Sequence, residues 1–507
     1  MNYNMLLRIF SLAILISILV VSSSLTGNKQ AAFKDSEIIC KMIPGASIDV
    51  INDNYGTTVK QVQGQTGCYL LEASEGSDII ALAAEINERP DVLFCHVNYY
   101  LTAPEPFQRS QPFIDVQAIG DIVLQDAVVT LAVPEAQAVS DGDGVNIAII
   151  DAGVDFSHPY LATGTGDVIS GWDYLDDDPV AYDEPGGPAT GHGTFIAGLY
   201  KLVVPGSNLL VYRVLDTLGE GDGYNISEAI LQAIDDSCKV INLSLGMIGT
   251  HDAVDEALKI AKRADIMVIA AAGNDSTDMN LLFPFPAERT YCLAVAALDS
   301  NLIKADFSNY GMKVDVCAPG TQVYGPFPGD TYAWWDGTSF AAPFVGALAA
   351  MIYSNHPDAT WDMVNAAIKF SAMNIDSLNP GLEGLLGEGL IDLTGALTFV
   401  GGLNPLGMDC NGNMVDDIYD LLDGSLIDGD GDGIPDNCID YTCGDLNQDK
   451  IINILDIISF IDYKFKEGPE PFPIGSGDVN NDETLNVLDI IYLIDYKFKG
   501  GPLPVCQ

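Results

Sequence analysis

Residues 239–274 read KVINLSLGMIGTHDAVDEALKIAKRADIMVIAAAGN. A short apolar strand, an amphipathic helix and a second apolar strand follow one another. Strands this uniformly apolar must be covered on both faces, which is the condition of a parallel sheet between helices. The alternation begins upstream with VNIAIID, NLLVYRVL and ISEAILQAIDDS and continues into CLAVAAL. The expected fold is therefore α/β, with functional groups gathered at the carboxyl ends of the strands.

The chain has 507 residues, 48% of them hydrophobic, enough for several domains with separate cores. A formal net charge of −49 excludes nucleic acid as a partner, because a phosphate backbone would be repelled. That charge fits an exported protein that binds divalent cations. Arg8 is followed by IFSLAILISILVV and SSSLTG. A run of about 13 apolar residues is too short for a span, which takes ~20, and reads as a secretory signal. The alternative is an uncleaved amino-terminal anchor. The expectation is a signal over 1–26, a secreted protein and no transmembrane span after cleavage. Ten cysteines in an exported chain can form disulfides, although three lie before residue 100 and four near the end.

Residues 35–102 read as a small α+β unit: EIICKMI, GCYLLEA and DVLFCHVNYYL alternate like strands, and GSDIIALAAEIN has helical spacing. TAPEPFQRSQPF brings three prolines in quick succession, so 103–133 is expected to be an extended, exposed and cuttable linker. The sheet domain then runs over 134–400. An Asp/Asn/Gly-rich stretch over 401–441 precedes a duplicated unit over 442–507, GDLNQDKIINILDIISFIDYKFKEGP and GDVNNDETLNVLDIIYLIDYKFKGGP.

WWDGTSFAAPFVGALAAMIY, residues 334–353, puts Ser339 at the head of a small-residue helix. A serine hydroxyl needs a neighbouring base to become a nucleophile. Of five histidines, His96 belongs to the first unit, His251 and His356 read as exposed helix-end residues, and His158 precedes a proline in a turn. His192, in TGHGTFIAG, has glycines on both sides that let the backbone approach closely. Asp151 ends VNIAIID, where an unpaired buried carboxylate would be costly but a bond to imidazole would fix its tautomer. Asn274, after a buried strand and a glycine, can aim its amide into a cleft, and the Ser339 N–H at a helix start offers a second oxyanion donor.

IIDAGVDFSHP, GHGTFIAG, AAAGND and GTSFAAP, in that order, resemble the four signature segments of the subtilisin-like serine peptidases, or subtilases. The order Asp, His, Ser is taken from that resemblance. It implies a subtilisin-like fold in which Asp151 orients His192, His192 is base and then acid, Ser339 is the nucleophile and Asn274 steadies the oxyanion. It also implies that Ser244, Leu245 and Gly246 pair with an extended peptide substrate. Two positions depart from the family: Ala152 replaces its usual threonine and Phe195 its second histidine, from which shifted specificity rather than inactivity is expected. The unit over 35–102 is similar to the inhibitory, ferredoxin-like propeptides of secreted subtilases, so a zymogen is implied. The rival from another class is a catalytically silent adhesion or scaffold protein on a subtilase fold.

In the duplicated unit, oxygen-bearing groups recur at loop positions 1, 3, 5, 7, 9 and 12. In the first copy these are Asp445, Asn447, Asp449, the Ile451 carbonyl, Asn453 and Asp456. In the second they are Asp478, Asn480, Asp482, Thr484, Asn486 and Asp489. The spacing suits a hard cation with six to eight oxygens, Ca²⁺ before Mg²⁺. Lys450 and Glu483 stand where such loops usually have glycine, at about 1 kcal/mol of backbone strain. With the helices that follow, the copies resemble tandem dockerin repeats, a small helical EF-hand-like module, and imply a cohesin-type partner or a cell-surface assembly. DGDGDGIPDNC resembles thrombospondin type 3 calcium repeats. Cys443 with Cys506, and Cys410 with Cys438, are plausible clasps.

Overall fold

The computed structural model describes residues 32–105, 110–115, 122–282, 284–357 and 359–401, and in the tail 444, 446, 452, 454–466, 479 and 486–499. The expected signal over 1–26 and, of the acidic linker expected over 401–441, all but residue 401, together with the cysteines proposed to clasp the tail, lie outside the described residues. The chain divides into two units, Met1–Leu397 and Thr398–Gln507.

The first unit opens with strand β1 (Phe33–Met42), helix α1 (Asp49–Tyr55), β2 (Thr58–Val62), β3 (Cys68–Glu72), α2 (Ile79–Asn87) and β4 (Val92–Thr102). The four strands form an antiparallel sheet in the order β2-β3-β1-β4. Alternation along β1 explains its two faces. Ile38, Cys40 and Met42 enter a core shared with Ile51, Ile79 and Ile86 of the two helices. Ile39, on the other face, meets Cys68 and Leu70 and packs on Tyr224 and Ala253 of the larger domain. A disulfide joins Cys40 to Cys95, paired neighbours on β1 and β4, whereas Cys68, Cys238, Cys292 and Cys317 are buried thiols.

The segment after β4 departs from expectation. Ala103, Glu105 and Ile122 are wholly buried and β5 (Phe113–Asp115) pairs with a strand of the larger domain, while Phe113, Ile114 and Leu124 are exposed as a linker's residues would be. The domain below supplies partners that a sequence pattern does not display.

The larger domain holds seven parallel strands in the order β15-β14-β12-β10-β6-β8-β7. In chain order these are β6 (Asn146–Asp151), β7 (Val168–Asp173), β8 (Asn208–Arg213), β10 (Val240–Leu243), β12 (Met267–Ala271), β14 (Leu293–Leu298) and β15 (Val316–Pro319). The central strands β10, β12 and β14 are buried along their whole length, as a sheet covered on both faces requires. Helix α3 (His192–Val203) and α6 (Thr338–Asn355) lie in the interior, while α4 (Gly223–Asp235) and α5 (Asp252–Arg263) carry the amino-terminal sheet. Small residues let the interior helices meet: a Cβ on Gly346 of α6 would lie 2.0 Å from the Tyr200 hydroxyl of α3. Short strands border the sheet. β9 (Glu220–Asp222) continues the amino-terminal sheet beside β4, β11 (Met247–Ile248) pairs with β13 (Pro284–Phe285), and β16 (Val323–Phe327) and β17 (Thr331–Trp335) form a hairpin extended by β5.

In the second unit, α8 (Ile454–Lys466) and α9 (Val487–Lys499) pack through Ile457, Phe460, Ile490 and Leu493 over Leu446 and Val479, the same positions in each copy. Helix α7 (Trp361–Phe370) belongs to the first unit. Among the described residues no helix is long and apolar enough to cross a membrane.

Candidate active site

Asp151 is the last residue of β6 and is fully buried. Its Oδ1 accepts the Ala152 N–H at 2.7 Å and faces His192 Nδ1 at 2.8 Å, so Nδ1 donates and Nε2 points away. Asp151 Oδ2 has no hydrogen-bond partner among the described residues. His192 opens α3, and Gly191 before it has φ 90°, a conformation that disfavours a side chain. The imidazole stands edge-on to Trp335 at 5.9 Å and beside Phe340 at 5.6 Å.

Phe195, where the family has its second histidine, faces the interior. It is wholly buried against Phe340 (4.7 Å) and Trp335 (5.7 Å), in the packing behind the imidazole. His251 corrects an expectation: it is a buried helix-capping residue, with Nδ1 accepting the Val254 N–H, because the amino-terminal sheet covers it. His158 shapes a turn, its Nδ1 accepting from Tyr160 N–H.

Asn274 follows β12 and Gly273, whose φ is 97°. Its Oδ1 accepts from the N–H (3.0 Å) and the hydroxyl (2.8 Å) of Thr338, which leaves Nδ2 aimed into the cleft. Ser339 is the second residue of α6. Pro343 has no N–H to return to the Ser339 carbonyl one turn back, and the Ser244 hydroxyl donates to that carbonyl instead at 3.0 Å. The helix start is thereby tied to the end of β10.

The sequence gives no hint of the next participant. Glu105 is fully buried, and its carboxylate joins all of these groups. Oε2 accepts from Ser339 Oγ at 2.8 Å and from His192 Nε2 at 3.1 Å. Oε1 accepts from Asn274 Nδ2 at 2.8 Å and from the Ser339 N–H at 3.4 Å. Burial pulls the His192 imidazole down, but the Asp151 and Glu105 carboxylates outweigh it and carry it up to about 10.

Glu105 arrives on a strand. Tyr100, Leu101 and Thr102 pair antiparallel with Asp222, Gly221 and Glu220 of β9. On the opposite edge Thr102 donates to the Gly246 carbonyl at 2.8 Å and accepts the Gly246 N–H at 2.9 Å, and the Ala103 N–H donates to Gly219 at 2.9 Å. Of the three residues expected to line the substrate strand, Gly246 thus pairs with an extended chain, Leu245 is buried, and the Ser244 carbonyl lies 3.5 Å from Ser339 Oγ. The opposite wall, Gly219 to Asp222, carries no motif.

Asp183 is a second residue that pattern reading passes over. Buried behind Asp151, it accepts the Gly191 N–H at 2.9 Å and the Thr194 hydroxyl at 2.5 Å. Thr194 Oγ1 in turn accepts the Asp155 N–H at 2.9 Å. Burial, the largest influence, raises the Asp183 carboxyl to about 7.

Of the twelve calcium ligands expected, only Asp456, Asn486 and Asp489 are among the described residues. Asp456 and Asp489 are buried, with Asp456 accepting the Leu446 N–H at 2.9 Å and Asp489 the Asn486 N–H at 2.8 Å. Asp445, Asn447, Asp449, Ile451, Asn453, Asp478, Asn480, Asp482 and Thr484 lie outside the described residues. Among the described residues no cluster of three or more His, Cys, Asp or Glu groups is placed to hold a metal.

The family described as "Subtilase family" matches residues 142–389. Thermitase of Thermoactinomyces vulgaris is 36% identical over 252 residues, which is 48% of this chain and 86% of thermitase. Subtilisin DY of Bacillus licheniformis is 33% identical over 266 residues, covering 50% of this chain and 91% of the subtilisin. Among solved structures, fervidolysin from Fervidobacterium pennivorans, described as a keratinolytic enzyme related to subtilisin, matches with a TM-score of 0.60 at 20% identity. That match covers 73% of this chain and 62% of fervidolysin. With most of thermitase and nearly all of subtilisin DY matched, and the same wound sheet underneath, the chain belongs to the subtilase family of serine-type endopeptidases.

Proposed function

We propose that Ser339, His192 and Asp151 hydrolyse peptide bonds through an acyl-enzyme, in an exported protein made as a zymogen. The observation that carries this is the convergence of His192 Nε2 and Ser339 Oγ on one oxygen, with Asp151 holding the far side of the ring at 2.8 Å. In the reaction Ser339 Oγ attacks the substrate carbonyl carbon while Nε2 takes the hydroxyl proton. Asp151 stabilises the imidazolium, and Asn274 Nδ2 and the Ser339 N–H receive the oxyanion. The imidazolium then gives its proton to the departing amine, and water, activated by the same ring, releases the acyl group as a carboxylic acid. Substrate lies extended between Gly219–Asp222 and Ser244–Gly246, the two edges now bound to Tyr100–Ala103.

The amino-terminal unit, with its ferredoxin-like strand order, acts as an inhibitory propeptide whose last strand fills the cleft. The tail acts as a calcium-binding dockerin-like module that docks onto a cohesin-type partner or a surface assembly. A silent scaffold has less support, since the relatives are peptidases by name and the polar groups are all in place.

A serine-reactive phosphonate tests the enzyme reading. After the amino-terminal unit is removed, Ser339 is expected to label, and His192→Ala to abolish labelling. A folded, uncovered protein that never reacts would favour the scaffold.

A further inference from the structure

We infer that Glu105 is a built-in inhibitory ligand: its side-chain carboxylate sits where the acid product of peptide hydrolysis would sit and closes the site without offering it a bond to cut. This rests on the peptidase reading above and names how that site is regulated.

The case begins with the path of the chain. Thr102 and Ala103 follow the geometry of a bound peptide. If that register continued, a main-chain carbonyl would come next to Ser339. It does not continue: Pro104 has no N–H to donate to the cleft wall, and at Pro104 and Glu105 the backbone turns helical. The side chain of Glu105, and not its peptide bond, then faces the serine.

The placement of the two oxygens is that of a product. One lies between Asn274 Nδ2 and the Ser339 N–H, the donors for an oxyanion, and the other between Ser339 Oγ and His192 Nε2. A carboxylate carbon there resists attack, since it carries shared negative charge and has no amine to expel. Its charge also holds His192 as the imidazolium, which cannot accept the serine proton. Both partners of the proton transfer are occupied at once.

Room for this ligand is specific. A Cβ on Gly337 would lie 2.1 Å from Glu105 Oε1 and 2.9 Å from its carboxyl carbon. The carboxylate is fully buried and both of its oxygens accept from His192, Asn274 and Ser339, so it is bound as a ligand rather than resting at the rim.

The experiment compares the full-length wild type with Glu105→Gln and Glu105→Ala, each uncut and shown to be folded by a cooperative thermal transition. The readout is the rate at which a fluorophosphonate adds to Ser339, followed by intact mass. Both variants are expected to label roughly 10- to 100-fold faster than wild type, the change that loss of charge-assisted hydrogen bonds implies. Glu105→Gln, nearly the same volume, separates the charge from packing. Equal slow labelling of all three would overturn the inference and leave strand pairing as the sole block. Equal fast labelling would overturn it by showing the wild type unlatched. If none labels even after the amino-terminal unit is digested away, the peptidase reading itself fails and the latch with it.

Discussion

Asp183 joins the loop after Asp151, through its N–H to the Val154 carbonyl at 3.3 Å, to the segment that opens at His192. Its carboxylate takes the N–H of the residue before His192 and the hydroxyl of Thr194, while Asp151 lies close enough to disfavour its ionisation. Because its carboxyl is raised from 3.8 to about 7 in the fold, the native state holds a proton that the unfolded chain has lost across that interval. The stability Asp183 contributes is present below 3.8 and is lost as pH rises through about 7. Asp183→Asn is expected to flatten that decline in a series of thermal melts, and parallel curves for the two proteins would refute the assignment. Asn274→Ala should lower kcat by roughly 10²–10³ with little change in KM, the general loss for one oxyanion donor, a figure itself drawn from a subtilisin. Asp151, His192, Asn274 and Ser339 were legible in the sequence because each sits in a short run of glycines and apolar residues that only tight packing explains. Glu105 was not, since an acid between two prolines reads as solvent-exposed wherever no tertiary partner is known. Asp183 was hidden for the same reason, and the inward packing of Phe195 was not legible because a motif position does not say which way a side chain faces.

At the level of elements, the parallel sheet and its covering helices followed from alternating apolar and amphipathic segments, and that physics is local enough to read. The docking of one sheet onto two helices is not local. Ile39 faces Tyr224 and Ala253 through an alternation that the sequence shows, but no pattern names the helices it will meet. The same contact buries two imidazoles, His96 of β4 and His251 at the head of α5, with ring centroids 4.8 Å apart. Burial pushes both below the ordinary 6.5, His251 the further, its neighbour His96 adding to the effect and the nearby Asp252 opposing it for His96. Asp252 lies 3.4 Å from His96, and the Lys41–Glu256 ion pair at 2.5 Å bridges β1 and α5 in the same contact. The docked sheet therefore binds fewer protons than the free one. Docking is at full strength above 6.5 and weakens as pH falls below it. Protection factors of β1 and β4 amides in the intact chain, corrected for the intrinsic pH dependence of exchange, are expected to fall between about pH 7 and about pH 5, and His96→Gln to blunt that response. Protection that ignores pH over that range would count against the histidine pair.

For the whole molecule, a net charge of −49 sets a condition that folding alone does not relieve. Self-repulsion weakens compact states, and cation binding offsets it. Asp456 and Asp489 are buried in the first turns of their helices, among the described acidic residues of the tail. Removing calcium with a chelator is expected to shorten the lifetime of residues 442–507 under limited proteolysis while leaving the catalytic domain's unchanged. An unaltered tail lifetime would argue against metal there. The duplication was plain from the sequence, because two copies that keep the same apolar positions can only share one core. The strand Phe113–Asp115 has a consequence of its own. A peptide bond broken anywhere ahead of it leaves those residues still zipped to Tyr332, Ala333 and Trp334, a few positions from the nucleophile. Scission between Glu105 and Phe113 is therefore expected to leave Phe113–Asp115 joined to the hairpin that leads into α6, so that the two cut pieces part at β4 and not at β5.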